Sequence, residues 1–162
     1  MKTTLALAVT LTLLAGSAVA AAASVSGIYR ADGKDTQLGF VRVAKGKRPY
    51  SADPAILFAF TEKDASDAKD LSSDAVVFSH KYGSAITMNI FKNSDGAYEV
   101  EESAFHHSGS DKAGGNASGI LQLKDVTVAN GSISGEVYTK PDTDMFGAKV
   151  DVDLKFKAAL PK

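Results

Sequence analysis

The stretch AKVDVDLKFKA, from Ala148 to Ala158, decides the fold. Val150, Val152, Leu154 and Phe156 occupy every second position, and Lys149, Asp151, Asp153, Lys155 and Lys157 fill the places between them. Successive strand side chains point to opposite faces of a sheet, so the pattern predicts a strand with one face in an apolar core and the other in water. A helix would repeat its apolar positions at about 3.6 residues instead. Period two recurs upstream in SVSGIYR from Ser24, TQLGFVRV from Thr36, AILFAFTE from Ala55, AVVFSH from Ala75, SAITMNIF from Ser84, AYEVEESAF from Ala97, GILQLKDVTV from Gly119 and SISGEVYT from Ser132. About nine strands with turn residues between them and no long amphipathic helix predict an all-β domain, an antiparallel sandwich or barrel.

The connections carry turn chemistry. Asn130-Gly131 between two alternating runs is a type I′ hairpin signal, because both positions of that turn need positive φ. Asn93-Ser94-Asp95-Gly96 predicts a second hairpin. The polar segment from Glu62 to Asp74 reads as a long surface connection with room for one helical turn.

The amino-terminal residues have a different logic. Lys2, an apolar run from Leu5 to Ala15 and then small residues form the pattern of a secretory signal peptide, residues 1–20, with cleavage after Ala20 or at sites up to Ala23. The apolar run is short of the roughly 20 residues a membrane span needs, so cleavage is expected rather than stable membrane insertion. A single all-β domain, residues 24–162, would remain, in the usual size range for one hydrophobic core. The expected location is the periplasm or the exterior.

Composition narrows the chemistry. The chain has no cysteine, which removes disulfides, thiolate catalysis and cysteine-ligated metals from consideration. Without Lys2, 17 of the 18 basic side chains face 19 acidic ones, with no basic stripe of the kind nucleic acid requires. No nucleic-acid partner is expected.

The stretch EESAFHHSGSDKAGGNASG, from Glu101 to Gly119, holds two of the three histidines. Zinc or copper would need His106 and His107 together with His80 and one carboxylate of Glu101, Glu102 or Asp111, of which Glu102 shares the His106 face. On a continuous strand, however, Glu102 and His106 share one face and Phe105 and His107 the other, so each face offers at most one imidazole. Strand-end surface histidines are the plainer account. No GxSxG elbow or other catalytic signature is present, and the Asp142/Asp144 pair lacks the further ligands of a calcium loop.

Binding through loops needs different residues. Lys45, Lys47 and Arg48 with Tyr50 form the densest basic segment, and Phe105, Met145 and Phe146 sit beside loops where they would make an apolar patch if exposed at one end. Phe40, Phe58, Phe60, Phe78, Phe91 and Phe156 lie in strand-like runs and are assigned to the core.

Three stretches, ADGKDTQLGFVRV from Ala31, PAILFAFTEKDAS from Pro54 and GAKVDVDLKFKAALP from Gly147, together resemble a family of small secreted bacterial β-rich proteins with no assigned function. The resemblance implies bacterial export and one compact β domain, and carries no catalytic residue. The expected role is therefore an exported, non-enzymatic binding or structural domain whose partner is a protein, a glycan or a small ligand. The alternative is a zinc- or copper-binding protein, with or without hydrolysis at the metal. The expected state is a monomer or a dimer paired through a sheet edge.

Overall fold

The computed structural model describes residues 22–49 and 51–161. The signal-peptide reading and Tyr50 lie outside the described residues. Eleven strands are present among the described residues: β1 (Ser24–Ala31), β2 (Lys34–Thr36), β3 (Phe40–Lys47), β4 (Pro54–Thr61), β5 (Ala85–Lys92), β6 (Tyr98–His107), β7 (Ser110–Ala117), β8 (Leu121–Ala129), β9 (Ser132–Thr139), β10 (Asp144–Met145) and β11 (Ala148–Ala159). One short helix, α1 (Ser73–Val76), lies between β4 and β5.

The strands form two antiparallel sheets. The first runs β2-β1-β11-β9-β8 with β10 attached to β11, and the second runs β3-β4-β5-β6-β7. Neither closes on itself, so the architecture is a sandwich and not a barrel. The alternation in β11 is realised residue by residue: Val150, Val152, Leu154 and Phe156 are buried while the charged residues between them are exposed. Phe156 meets the rings of Phe58 and Phe60 edge-on, at centroid distances of 5.1 and 5.8 Å. Between the sheets these residues join Tyr29, Leu38, Ile86, Met88, Ile90, Phe105, Ile133 and Val137 in one core.

Gly27 lets β1 and β11 approach. Its φ is +127°, and a Cβ there would lie 1.9 Å from the Asp153 carbonyl oxygen, so only glycine fits.

Both hairpin readings hold. Asn130 and Gly131 have φ of 51° and 72°, as a type I′ turn requires. Asn93–Gly96 turns β5 into β6, with the Asn93 carbonyl accepting from the Gly96 N–H and the Asn93 side chain accepting from Asp95 and Ala97.

Two strand readings change, and one segment outside the nine runs is a strand. AVVFSH is not a strand but α1 and the turns that follow it. Ser72 caps the helix, its Oγ accepting from the Ala75 N–H, and helical spacing buries the consecutive Val76 and Val77 together, which a strand would not. TQLGFVRV is cut at Gln37–Gly39, where the chain leaves the first sheet at β2 and enters the second at β3. The Gly- and Ser-rich segment after His107 is not a loop but β7, paired with β6.

The long β4–β5 connection has a structural role. Residues 62–84 lie as a strap across the outer face of the second sheet, where Ala65, Leu71, Val76, Val77 and Tyr82 pack on Ala59, Ala85 and Ala104. The second sheet is thus covered on both faces, which accounts for the almost unbroken apolar run of β4. Polar bonds close the strap on itself at Glu62–Ser84 and Asp67–Tyr82 and tie it to the sheet at Arg42. Glu62 accepts from the Ser84 N–H at 2.8 Å, the Arg42 guanidinium donates to the Ala65 and Ala68 carbonyls, and Asp67 takes both Lys81 and the Tyr82 hydroxyl.

Candidate functional site

Strand register separates the candidate residues into two groups. Phe40 pairs with Thr61 and Lys47 with Pro54, while Ala85 pairs with His106 and Lys92 with Tyr98. The basic segment from Lys45 therefore lies at one end of the second sheet and the histidines at the other. No single cluster of loops unites them.

At the histidine end, alternation along β6 decides what each side chain meets. Phe105 and His107 turn inward and are buried, His107 being 2% exposed, whereas His106 turns outward. The His106 ring stacks on His80 from the strap, with centroids 4.0 Å apart and planes 12° from parallel. The His107 ring stands edge-on to Tyr29 at 4.9 Å, and its Nδ1 accepts from the Gly109 N–H at 3.0 Å. A register shift between His106 and His107 does not bring the two rings to one side. Burial lowers the basicity of both, and the proximity of His80 lowers that of His106 further.

Glu102 is also outward, but four residues from His106 along an extended strand is roughly 13 Å. It cannot share an ion with that imidazole. The set His80, His106, His107 and Glu102 is therefore corrected: only His80 and His106 meet. No group of three or more His, Cys, Asp or Glu side chains suited to a metal is gathered among the described residues.

The apolar patch is corrected as well. Phe105 and Met145 are core residues at 0% and 2% exposure, leaving Phe146 alone exposed, at 63%. Phe146 lies over Gly115, where a Cβ would come within 2.6 Å of its ring. Phe40 and Phe78, assigned to the core, are exposed instead. Asp144 closes a turn by accepting from the Gly147 N–H at 3.0 Å.

At the basic end, Arg48 is not a free cation. Its guanidinium forks onto the Glu101 carboxylate with contacts of 2.9 to 3.2 Å and lies 3.9 Å above the Phe91 ring. Glu101 reaches it because a bulge at Asn89/Ile90 leaves it out of the alternation, with Glu102 opposite Asn89 and Val100 opposite Ile90. Lys45 and Lys47 are exposed.

Beside this ion pair lies a groove of about 350 Å³ on the outer face of the second sheet, between the Lys47–Pro49 connection and the strap at Leu71–Ser73. Leu57, Thr87, Asn89 and Glu102 line it. Thr87 shares a hydrogen bond with Ser73 at 3.1 Å, but no described residue makes a side-chain hydrogen bond or ion pair with Lys47, Asn89 or Glu102. One cation, one amide and one carboxylate are thus presented uncommitted around one concave surface, with Pro49, Leu57 and Leu71 as apolar flanks.

No family model, curated protein or solved structure matches this chain. The site therefore rests on its own geometry. The sequence reading found Lys47 and Glu102 but placed them in separate sites, and it missed Asn89 and Ser73. The period-two run containing Asn89 carried a signal for it: an amide two residues after Thr87 on the outward face of a mostly apolar strand, SAITMNIF.

Proposed function

We propose that this chain is an exported, non-enzymatic binding domain that holds a polar, hydroxyl-rich ligand, a glycan chain first, in the groove over the second sheet. The groove carries the reading. Asn89 supplies an amide donor and acceptor, Glu102 a charged acceptor and Lys47 a charged donor, and opposite charges in one site favour a ligand with little net charge of its own. Pro49, Leu57 and Leu71 offer the C–H faces of a sugar something apolar to lie against. The rigid sheet beneath fixes the spacing of Asn89 and Glu102. Export rests on the amino-terminal pattern of Lys2, the Leu5–Ala15 run and the Ala18–Ala23 cleavage region.

Calorimetric titration with a panel of soluble oligosaccharides and oligopeptides tests the reading. A sugar that binds the wild-type protein and loses at least about tenfold in affinity with the Asn89→Ala, Glu102→Gln double variant supports it. Binding that survives both substitutions, or that is confined to peptides, removes the glycan assignment. Amino-terminal sequencing of protein recovered from the periplasm or the medium tests export, with a start between residues 21 and 24 expected.

A further inference from the structure

The end of the second sheet remote from Lys47 carries a second site. His80 and His106 come from different elements, the strap and β6, yet their rings stack 4.0 Å apart. His80 is held there with a backbone φ of 56°, a left-handed conformation that non-glycine residues adopt at a cost. Its N–H donates to the Val77 carbonyl at 3.2 Å, and its own carbonyl accepts from Gly83 at 3.4 Å. The two rings border a cleft of about 370 Å³ that Phe78, Asp111 and Gly114 also line. None of the four ring nitrogens hydrogen-bonds to another described residue.

We infer that His80 and His106 form an open two-imidazole site for a divalent transition-metal ion, with copper preferred over zinc. Imidazole nitrogens bind such ions at roughly 2.0–2.1 Å, which places two donors on one ion about 3 Å apart. In the stacked arrangement the in-plane nitrogen lone pairs run side by side, so loading an ion requires one or both rings to turn about their side-chain bonds. Water fills the remaining positions, and Asp111 is the carboxylate on the same cleft wall. Two nitrogen donors with open positions favour copper by the ordinary order of divalent affinities. His107 takes no part, because it faces the core. A bound ion would pin the strap to β6.

Copper(II) and zinc(II) are titrated into the untagged protein by calorimetry, with visible absorption as a second readout for copper. One equivalent of copper bound with a dissociation constant near or below about 10 µM, and zinc binding more weakly, is the expected result. His80→Asn keeps a side chain that tolerates the left-handed backbone, and His106→Gln keeps a polar side chain of similar reach. Each should weaken copper binding at least about tenfold and bleach the absorption band, while His107→Gln leaves both unchanged. Circular dichroism confirms that each variant is folded. Copper binding unaffected by His80→Asn and His106→Gln, or the absence of binding at about 100 µM metal, overturns the site.

Discussion

Tyr29 shows how a single atom sets a stability prediction. Its ring fills the core beside His107, and its hydroxyl is buried with no hydrogen-bond partner among the described residues. Burial alone pushes the phenol pKa well above its ordinary value of 10.0. A group whose pKa is raised on folding contributes fully below its unfolded pKa and loses that contribution as pH rises. The native state therefore weakens above pH 10.0, where the unfolded chain ionises Tyr29 and the folded chain does not. Tyr29→Phe removes an unpaired buried hydroxyl and leaves the ring in place. Urea denaturation should show it equal to the wild type or up to about 1 kcal/mol more stable at neutral pH, with a shallower alkaline decline. A loss of about 1 kcal/mol or more at neutral pH would contradict this account of the hydroxyl.

At the scale of the element, the strap over residues 62–84 is the part most exposed to acid. Glu62 closes its base through the Ser84 N–H, and that bond is the main reason its carboxyl titrates below the ordinary 4.5. Ser84 and Ser108 hydroxyls and the Lys63 charge act in the same direction, burial acts against them, and His106 and His107 are the other titrating groups that feel it. Asp67, also depressed, depends on Lys81 and Tyr82. A carboxyl with a depressed folded pKa contributes above its unfolded value and loses that contribution as pH falls through the folded one. Hydrogen exchange between about pH 6 and pH 3, corrected for intrinsic rates, should show the strap amides losing protection before those of β11. Glu62→Gln should lower strap protection at the upper end of the range and flatten its pH dependence. Simultaneous loss in the strap and β11 would mean that the strap does not open separately.

The same element shows where sequence was legible. β11, β4, β5 and β9 each face a core on at least one side, so burial writes a period of two into them. The second half of the strap was misread because Ala75-Val76-Val77-Phe78 suits a buried strand as well as a buried helical turn; Ser72 and Asp74 just ahead of it were the distinguishing signal. β7 was hidden because Gly114 and Gly115 have no side chains with which to display alternation. Phe105 was legible in principle, since it shares the inward phase of β6 with His107. The meeting of His80 and His106 was not. It depends on a strap folding back over a sheet, and no local pattern encodes that path.

At the scale of the whole molecule, the sandwich keeps both candidate sites on the outer side of one sheet, the groove reaching its middle and the histidine pair at one end. Sites separated along a sheet, with no shared partners, respond independently. The groove and the histidine pair meet this condition only in part, because both use β6 and the strap, whose Leu71–Ser73 segment walls the groove and whose His80 completes the pair. The order of strands has another consequence. Ser24 at the head of β1 pairs with Lys157 near the foot of β11, and β11 sits between β1 and β9. The first strand of the described chain waits for the last before its sheet can be completed, so a chain still emerging from the ribosome cannot finish the sandwich. Removing β11 should leave a product without the cooperative unfolding transition of the parent, measurable by circular dichroism on heating. A retained sharp transition would mean that the second sheet and its strap stand alone. The late arrival of β11 also bears on the unfinished chain: until its far end is free the first sheet lacks its central strand, and the edges of β1 and β9 stand open to pairing with other chains.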